Sequence, residues 1–200
     1  MAMVTTLFFM WGFLTSLNDI LIPHLKSIFA LNYVQATLIQ FAFFTSYAIF
    51  ALPSGKIVEW IGYQRTMVTG LLIMGIGAIL FLPAAAAPSY PLFLGALIVL
   101  AAGITALQVA ANPYVTALGP QPTASSRLNL TQAFNSLGTV IGPPLGGYLI
   151  LAHAGKTVEN IRALSPPALH AYRIHEAATV RMPYIAIAAA LVLLALVIGL

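Results

Sequence analysis

The chain has 200 residues, of which 60% are hydrophobic and only 6% are charged, and its formal net charge is +4. Soluble domains carry about 25% charged residues, so this composition excludes an ordinary soluble globular protein. Eight basic residues spread over the chain do not form a nucleic-acid surface, and the absence of cysteine excludes disulfides and thiolate metal sites.

Charged residues are missing from four long segments. No Asp, Glu, Lys or Arg occurs in residues 27–55, 66–126, 128–155 or 182–200. Because about 20 apolar residues span the hydrocarbon core of a bilayer as a helix, segments of this length are typical of membrane-spanning helices. The sequence therefore predicts a polytopic, all-α membrane protein.

Short polar or proline-containing connections divide the chain into predicted spans. The fifth connection, residues 153–182, is the only long one. Within it, Ser165 followed by two prolines predicts a short surface helix over roughly 168–179. The apolar start lacks a basic region, which favours a first span over a cleaved signal peptide. In chain order the six spans are predicted at roughly 4–30, 35–58, 64–86, 91–117, 128–152 and 183–200.

Asp19 is the only acidic residue inside a predicted span, since Glu59, Glu159 and Glu176 fall in connections. A charge at the centre of a bilayer costs about 2.5–3.5 kcal/mol on insertion scales, so such a residue usually has a function. We interpret Asp19 as the residue that binds a coupling proton or cation. The alternative is that its side chain bonds to a neighbouring helix and only holds the bundle together.

Polar residues recur at helical spacing in the first, fourth and fifth spans, which puts them on one face of each helix. Amides and hydroxyls supply the donors and acceptors that a polyhydroxylated ligand needs. On the second span, Phe41, Phe44 and Tyr47 are candidates for stacking on a sugar ring. The alternative is that the polar groups simply bond helices to one another. The predicted substrate-binding residues are Gln40, Tyr47, Gln108, Asn112, Gln132 and Asn135.

Three glycines of the fifth span, Gly138, Gly142 and Gly146, are spaced four residues apart. This spacing is typical of a small-residue track that lets a second helix approach closely. Helix packing is therefore predicted for the track in preference to ligand contact.

The connection after the second span contains Gly55, Glu59, Gly62 and Arg65. A glycine between charged residues predicts a reverse turn. Two interpretations remain open for its charges. They either set the membrane topology, or they form a conformational latch in which Glu59 and Arg65 pair with helix ends or with each other.

Metal and catalytic chemistry find little support. His170, His175 and Glu176 lie in the long connection without a matching pair of ligands, so no metal site is predicted. Motifs of hydrolases, metalloproteases and phosphate-binding loops are absent from the sequence. We expect neither an enzyme nor a bound cofactor.

Several of these stretches resemble a known family. The turn around Gly62 resembles the signature loop of the major facilitator superfamily. Residues 17–23, 110–115 and 127–136 resemble the L-fucose permeases within it. Those permeases carry Glu where this chain has Gln108, and residues 107–113 look more like the bacterial glucose/galactose transporter branch. The Gly-Pro-rich fifth span resembles a motif of drug/proton antiporters.

The resemblance implies the N-terminal six-helix half of a twelve-span transporter, built from inverted 3+3 helix repeats. Its implied function is symport of a hexose such as glucose or galactose with H⁺ or Na⁺. The implied partners are a small sugar, membrane lipid, and a missing C-terminal half or a second copy, but no nucleic acid. The implied location is the bacterial inner membrane with cytoplasmic termini, although the basic residues of the connections favour the opposite orientation. A proton antiporter for drugs or sugars and an inactive half-transporter fragment are the alternatives.

Overall fold

The computed structural model describes residues 1–29, 31–87, 89–148, 161, 163–179 and 181–199, without the side chains at positions 18, 19, 21–24 and 26–28. Every regular element in these residues is a helix, which confirms the predicted all-α fold. The elements are α1 (Ala2–Phe29), α2 (Tyr33–Ala86), α3 (Tyr90–Ala117), a 3₁₀ turn (Gln121–Thr123), α4 (Ala124–Gly146), α5 (Pro166–Ala178) and α6 (Arg181–Gly199).

Within the described residues, three helical stretches are long and apolar enough to cross a membrane. They are Tyr33–Ala86, Tyr90–Ala117 and Pro166–Gly199, the last of which contains α5 and α6, and α1 adds a shorter apolar stretch, Ala2–Leu17. The 54 residues of α2 would extend about 80 Å as one straight helix, against a hydrocarbon core of about 30 Å. This helix is therefore long enough for two crossings.

A single residue divides α2 into two arms, residues 33–61 and 63–86. Gly62 has φ 80° and ψ 172°, a conformation that is essentially confined to glycine, and it interrupts an otherwise continuous helix. At the other end of the first arm, Asn32 and Gln35 form a capping box. The side-chain oxygen of Asn32 accepts a hydrogen bond from the backbone amide of Gln35 at 2.8 Å. The side-chain oxygen of Gln35 accepts one from the backbone amide of Asn32 at 3.1 Å.

The first arm of α2 runs parallel to α3. Near the start of both helices, the Tyr90 hydroxyl donates to the carbonyl of Gln35 at 2.7 Å. Further along both helices, Tyr47 and Gln108 line the same cavities. The starts of the two helices therefore contact each other, and so do later residues of both, as expected for parallel helices.

The second arm runs antiparallel to α3, so the chain reverses at Gly62. The ring of Tyr63 lies 6.3 Å from the ring of Tyr114 near the end of α3. A Cβ built on Gly77, later in the arm, would lie 2.6 Å from the backbone nitrogen of Leu100, earlier in α3. The reverse turn predicted at Gly62 is present, and the chain reverses at this single residue without a loop.

The remaining helices continue this alternation. α1 runs parallel to α4, since Asn135 bonds to Phe8 and Gly146 contacts Leu17. α6 runs antiparallel to the second arm, since the Gln64 side-chain amide donates to the carbonyl of Ile198, while the ring of Tyr184 stacks on Phe81 at 4.1 Å. Six helical arms thus alternate in direction.

One end of the bundle, which we call the turn end, holds Gly62, the 3₁₀ turn, the start of α1 and the end of α6. The opposite end holds the starts of α2 and α3 and the end of α1, where the Phe29 ring lies 6.2 Å from Tyr90. In this arrangement α1 and α3, the first helices of the two sets of three, run in opposite directions. An inverted repeat has this geometry.

Two helix pairs account for most of the packing, α2 with α3 and α1 with α4. Glycines make the close crossing between α2 and α3 possible. A Cβ on Gly70 would lie 2.9 Å from the carbonyl oxygen of Gly103, and one on Gly103 would lie 2.5 Å from the backbone nitrogen of Met74. Small residues allow such backbone approach between membrane helices.

The long fifth connection contains α5, which begins at Pro166. Ser165 stands at its N-cap with an extended backbone, but its side chain makes no cap hydrogen bond. Tyr172 and Glu176 are on the buried face of α5, and the Arg173 guanidinium lies 5.8 Å from the centroid of the Phe29 ring.

We predict that Gly62→Ala lowers the free energy of unfolding by about 1–3 kcal/mol, because alanine cannot adopt this backbone conformation without strain. Gly55→Ala is the matched control, since a Cβ at either glycine meets nothing within 4 Å and only Gly62 has a positive φ. The control should be neutral or stabilise the helix by up to about 1 kcal/mol. Unfolding in mild detergent measures both, and equal effects would contradict a conformational role for Gly62.

Candidate functional site

A central cavity of about 360 Å³ opens between α1, α2, α3 and α4. Its size falls within the roughly 300–1,000 Å³ that small-molecule sites occupy. Hydroxyl, amide and aromatic groups line it together. The lining residues are Trp11, Thr15, Ser16, Gln40, Phe43, Phe44, Tyr47, Gln108, Asn135, Thr139 and Pro143.

A second cavity of about 390 Å³ adjoins the central one between the first arm of α2 and α3. Tyr47 and Gln108 line both cavities, so they stand at the boundary between them. Asn112 and Thr105 add polar groups to the second cavity. Of the six residues predicted to bind substrate, five line one or both cavities, and Gln132 lines neither.

Two of the predicted residues have side-chain amides that bond to no described protein group. Gln40 and Gln108 are partly buried in the cavity wall, and the hydrogen bonds of the described residues include neither amide. Each amide therefore offers two donors and an acceptor to whatever enters the cavity. Polar groups that converge on a cavity without a protein partner are characteristic of a ligand site.

The other three predicted amides bond to neighbouring helices. Asn135 donates to the carbonyl of Phe8 on α1 at 3.1 Å, and Gln132 donates to the side-chain oxygen of Asn112 at 3.4 Å. For these residues the interhelical role that the sequence left open is present in the structure. Asn135 still lines the central cavity, and its bond to α1 uses only the amide nitrogen.

Trp11 lines the central cavity although the sequence did not single it out. It is mostly buried, and it lines the cavity together with Tyr47. Its position four residues before Thr15, another cavity residue, was the available signal. Phe41 differs from the prediction, since it is exposed and lies with Tyr33 on the outer face of α2. Helical rotation puts Phe44 and Tyr47, but not Phe41, on the cavity side.

The coupling residue proposed from the sequence, Asp19, falls within α1, and its side chain lies outside the described part of the structure. The described residues just before it, Thr15 and Ser16, both line the central cavity. Each of these hydroxyls also donates to a backbone carbonyl one turn earlier in α1.

The predicted glycine track of α4 lies directly against α1. A Cβ on Gly138 would meet the carbonyl oxygen of Phe9, and one on Gly142 would meet the hydroxyl of Ser16. A Cβ on Gly146 would lie 2.5 Å from the side chain of Leu17. The glycine track therefore lets α4 pack closely against α1, which forms one wall of the central cavity.

The residues considered for a latch lie at the turn end of the bundle. Glu59 and Arg65 are exposed on either side of Gly62 and make no ion pair with each other. Gly55 lies in the helix of the first arm, with open space where a Cβ would be. In this conformation the turn is anchored by its neighbours Tyr63 and Gln64, which contact α3 and α6.

No group of three or more acidic or histidine residues that would suit a metal ion occurs in the described part of the chain. On α5, His170 and His175 are exposed, whereas Glu176 is buried on another face of the helix.

Comparison with known proteins identifies the family. The family model of the Major Facilitator Superfamily matches residues 4–200 of this chain. The chain belongs to the major facilitator superfamily. The chain is also similar to a structure of FucP, a transporter of this superfamily in the outward conformation, with a TM-score of 0.88 and 41% identity. That match covers 99% of this chain and 48% of the other, so the described fold corresponds to the N-terminal half of a superfamily transporter.

Relatives within the superfamily include named sugar transporters. The chain is 54% identical over 194 residues to the glucose/galactose transporter of Brucella abortus, covering 97% of this chain and 44% of the relative. It is 48% identical to the putative glucose/galactose transporter of Helicobacter pylori, covering 97% and 46%. It is 41% identical to the L-fucose-proton symporter of Escherichia coli, covering 98% and 45%. The chain spans about half the length of each.

Proposed function

We propose that this chain is the half of a cation-coupled hexose symporter that contributes the central cavity to the sugar path. The supporting observation is that Gln40 and Gln108 present unbonded amides to a cavity walled by aromatic rings. Sugar rings need hydrogen-bonding groups for their hydroxyls and an apolar surface for their carbon–hydrogen faces. The names of the relatives, glucose/galactose transporters and an L-fucose-proton symporter, support the substrate class.

Within this function, the six predicted substrate residues take two roles. Gln40, Gln108 and Tyr47 contact the sugar directly, together with the amide oxygen of Asn135. Asn112 and Gln132 hold the walls of the site in place through their mutual hydrogen bond. Asp19 binds the coupling ion, which is H⁺ or Na⁺, because a carboxyl group can carry either.

The second half of the site comes from a second six-helix bundle, either a C-terminal half or another copy. Support comes from the share of each relative that the chain matches, 44% of the Brucella transporter and 45% of the fucose symporter. Alternating access requires one bundle to move against another around a central site. Gly55, Glu59, Gly62 and Arg65 act as the latch of this movement, and Glu59 and Arg65 form ion pairs only in a conformation other than the one described.

The protein resides in the bacterial inner membrane, with six crossings and with the turn end of the bundle in the cytoplasm. Both the start of α1 and the end of α6 then face the cytoplasm. A single cysteine at exposed Gln121 tests this orientation in the cysteine-free chain. A membrane-impermeant thiol reagent should label it in inside-out vesicles and not in right-side-out vesicles, and the reverse pattern would overturn the orientation.

The experiment that tests the function is uptake of radiolabelled galactose or glucose into vesicles containing the full-length transporter. A proton or sodium gradient directed inward should drive accumulation, and dissipating the gradient should abolish it. A proton antiporter is the second candidate, because Pro143 of the antiporter-like Gly-Pro stretch lines the central cavity. The same inward proton gradient would then drive sugar out of preloaded vesicles, so the sign of the response separates the two.

We predict that Gln108→Leu raises the KM for hexose about tenfold, since removing a hydrogen bond to a sugar hydroxyl costs about 1–1.5 kcal/mol. Leucine keeps the volume of the side chain and removes its donors and acceptor. Gln121→Leu makes the same chemical change at an exposed position of the 3₁₀ turn and should leave KM unchanged. An unaltered KM in well-folded Gln108→Leu would remove this residue from the sugar site.

A further inference from the structure

The guanidinium of Arg127 makes an unusual set of hydrogen bonds at the turn end of the bundle. Arg127 lies in the first turn of α4, yet all of its partners belong to the last turn of α3 or to the segment between the two helices. Its acceptors are the carbonyls of Val115 (3.1 Å), Thr116 (2.8 Å), Gly119 (3.2 Å) and Pro120 (3.1 Å), and the hydroxyl of Thr123 (2.6 Å).

The electrostatics of helix ends explains which helix Arg127 serves. A cation is unfavourable at the N-terminus of its own helix, where the helix dipole is positive, and favourable at a C-terminus. The carbonyls of Val115 and Thr116 belong to the last turn of α3, where regular helical donors run out and Val115 accepts only a long bond, 3.4 Å, from the Leu118 amide among the described backbone groups. Arg127 therefore caps α3 from within α4.

The turn between the two helices is shaped around this side chain. A Cβ on Gly119 would lie 3.1 Å from the Nη1 atom of Arg127, so a larger residue would press on the guanidinium. The short bond to Thr123 fixes the remaining edge of the guanidinium. Because all three side-chain nitrogens are bonded, the planar fork of arginine is used in full, which lysine cannot reproduce.

The hydrogen bonds of Arg127 connect α3 and α4, which otherwise pack on different helices. α3 packs mainly on α2, whereas α4 packs mainly on α1, and direct packing between α3 and α4 is sparse. Apart from the bonds of Arg127, the side-chain hydrogen bond between α3 and α4 among the described residues is the one from Gln132 to Asn112, which is long at 3.4 Å. Asn112 lies about one helical turn before the carbonyls that Arg127 binds.

We propose that Arg127 is a positioning residue, which fixes α3 to α4 and thereby sets the distance between the α3 and α4 walls of the central cavity. It acts through the backbone carbonyls of α3 and not through its charge alone. The consequence for sugar affinity rests on the proposed function, whereas the consequence for helix geometry does not.

Helix geometry is tested with spin labels on cysteines introduced at Ala117 of α3 and Asn129 of α4. Both positions are exposed, and the chain has no other cysteine. Arg127→Lys, which keeps the charge, should broaden the distance distribution between the labels, and Thr123→Val, which removes one bond, should broaden it less. Lys56→Gln removes an exposed basic charge elsewhere and should leave the distribution narrow. A narrow, unshifted distribution in Arg127→Lys would overturn the proposal.

Sugar affinity gives the second readout, in the full-length transporter. Arg127→Lys should raise the KM for hexose about tenfold while membrane insertion is unchanged, and Lys56→Gln should do neither. If Arg127→Lys has the wild-type KM, the positive charge of Arg127 is all that matters and the proposal fails. If the wild-type transporter takes up no hexose, the proposed function fails, while the label distances still decide whether Arg127 positions α3 and α4.

Discussion

Replacing Asp19 with asparagine in the full-length transporter is expected to abolish gradient-driven accumulation of hexose while leaving sugar exchange across the membrane. Asparagine retains hydrogen bonding at nearly the same size but can neither bind and release a proton nor neutralise a sodium ion. Exchange needs only the sugar-loaded protein to reorient, whereas accumulation needs the coupling ion to be carried and released. The expected loss is at least about a hundredfold in the accumulation ratio, which corresponds to roughly 2.7 kcal/mol of coupling.

Counterflow in vesicles without an ion gradient measures exchange, and uptake with an imposed gradient measures accumulation. Glu159→Gln provides the matched control, because it makes the same loss of charge in the fifth connection and should leave both activities intact. Undiminished accumulation in Asp19→Asn would exclude Asp19 from coupling. Loss of exchange together with accumulation would instead favour the interpretation that Asp19 holds the helices together.

A second large effect is expected at the contact between α1 and α4. Gly138→Ala should destabilise the folded bundle by about 3 kcal/mol, the upper part of the range for overpacking. The added methyl group would meet the carbonyl oxygen of Phe9 and lie 2.7 Å from the backbone nitrogen of Phe13. Backbone atoms cannot rotate away as a side chain can, so α1 and α4 would have to separate.

Gly95→Ala is the control for this substitution. Gly95 also lies within an apolar helix, but a Cβ there meets nothing within 4 Å. Alanine at position 95 should therefore be neutral or slightly stabilising, by up to about 1 kcal/mol. Thermal unfolding in mild detergent compares the two variants, and equal midpoints would show that α1 and α4 do not need their close approach.

The sequence predicted the fold class because the relevant physics is local. Segments without charge can be recognised residue by residue, and one glycine between charged residues was enough to predict the reversal at Gly62. Spacing alone also predicted which glycines of α4 form a small-residue track, because the three positions recur on one face of a single helix.

The site was less predictable, because its geometry depends on how separate helices are rotated and shifted against each other. The amides of Gln108 and Asn135 look alike in the sequence, yet only the second bonds to a neighbouring backbone. Phe41 and Phe44 are three residues apart, but only Phe44 lines the central cavity. Likewise, nothing in the order of residues indicated that Arg127 would bond to the end of the preceding helix.

The one-residue reversal at Gly62 also has a mechanical consequence. A flexible loop between two helices can change conformation at several residues. This connection can change only through the two backbone torsion angles of Gly62. The first arm carries Tyr47 in the cavity wall, and the second arm is tied through Gln64 to the last turn of α6. We therefore expect a tilt of the first arm either to change φ and ψ of Gly62 or to move the second arm, and with it the last turn of α6.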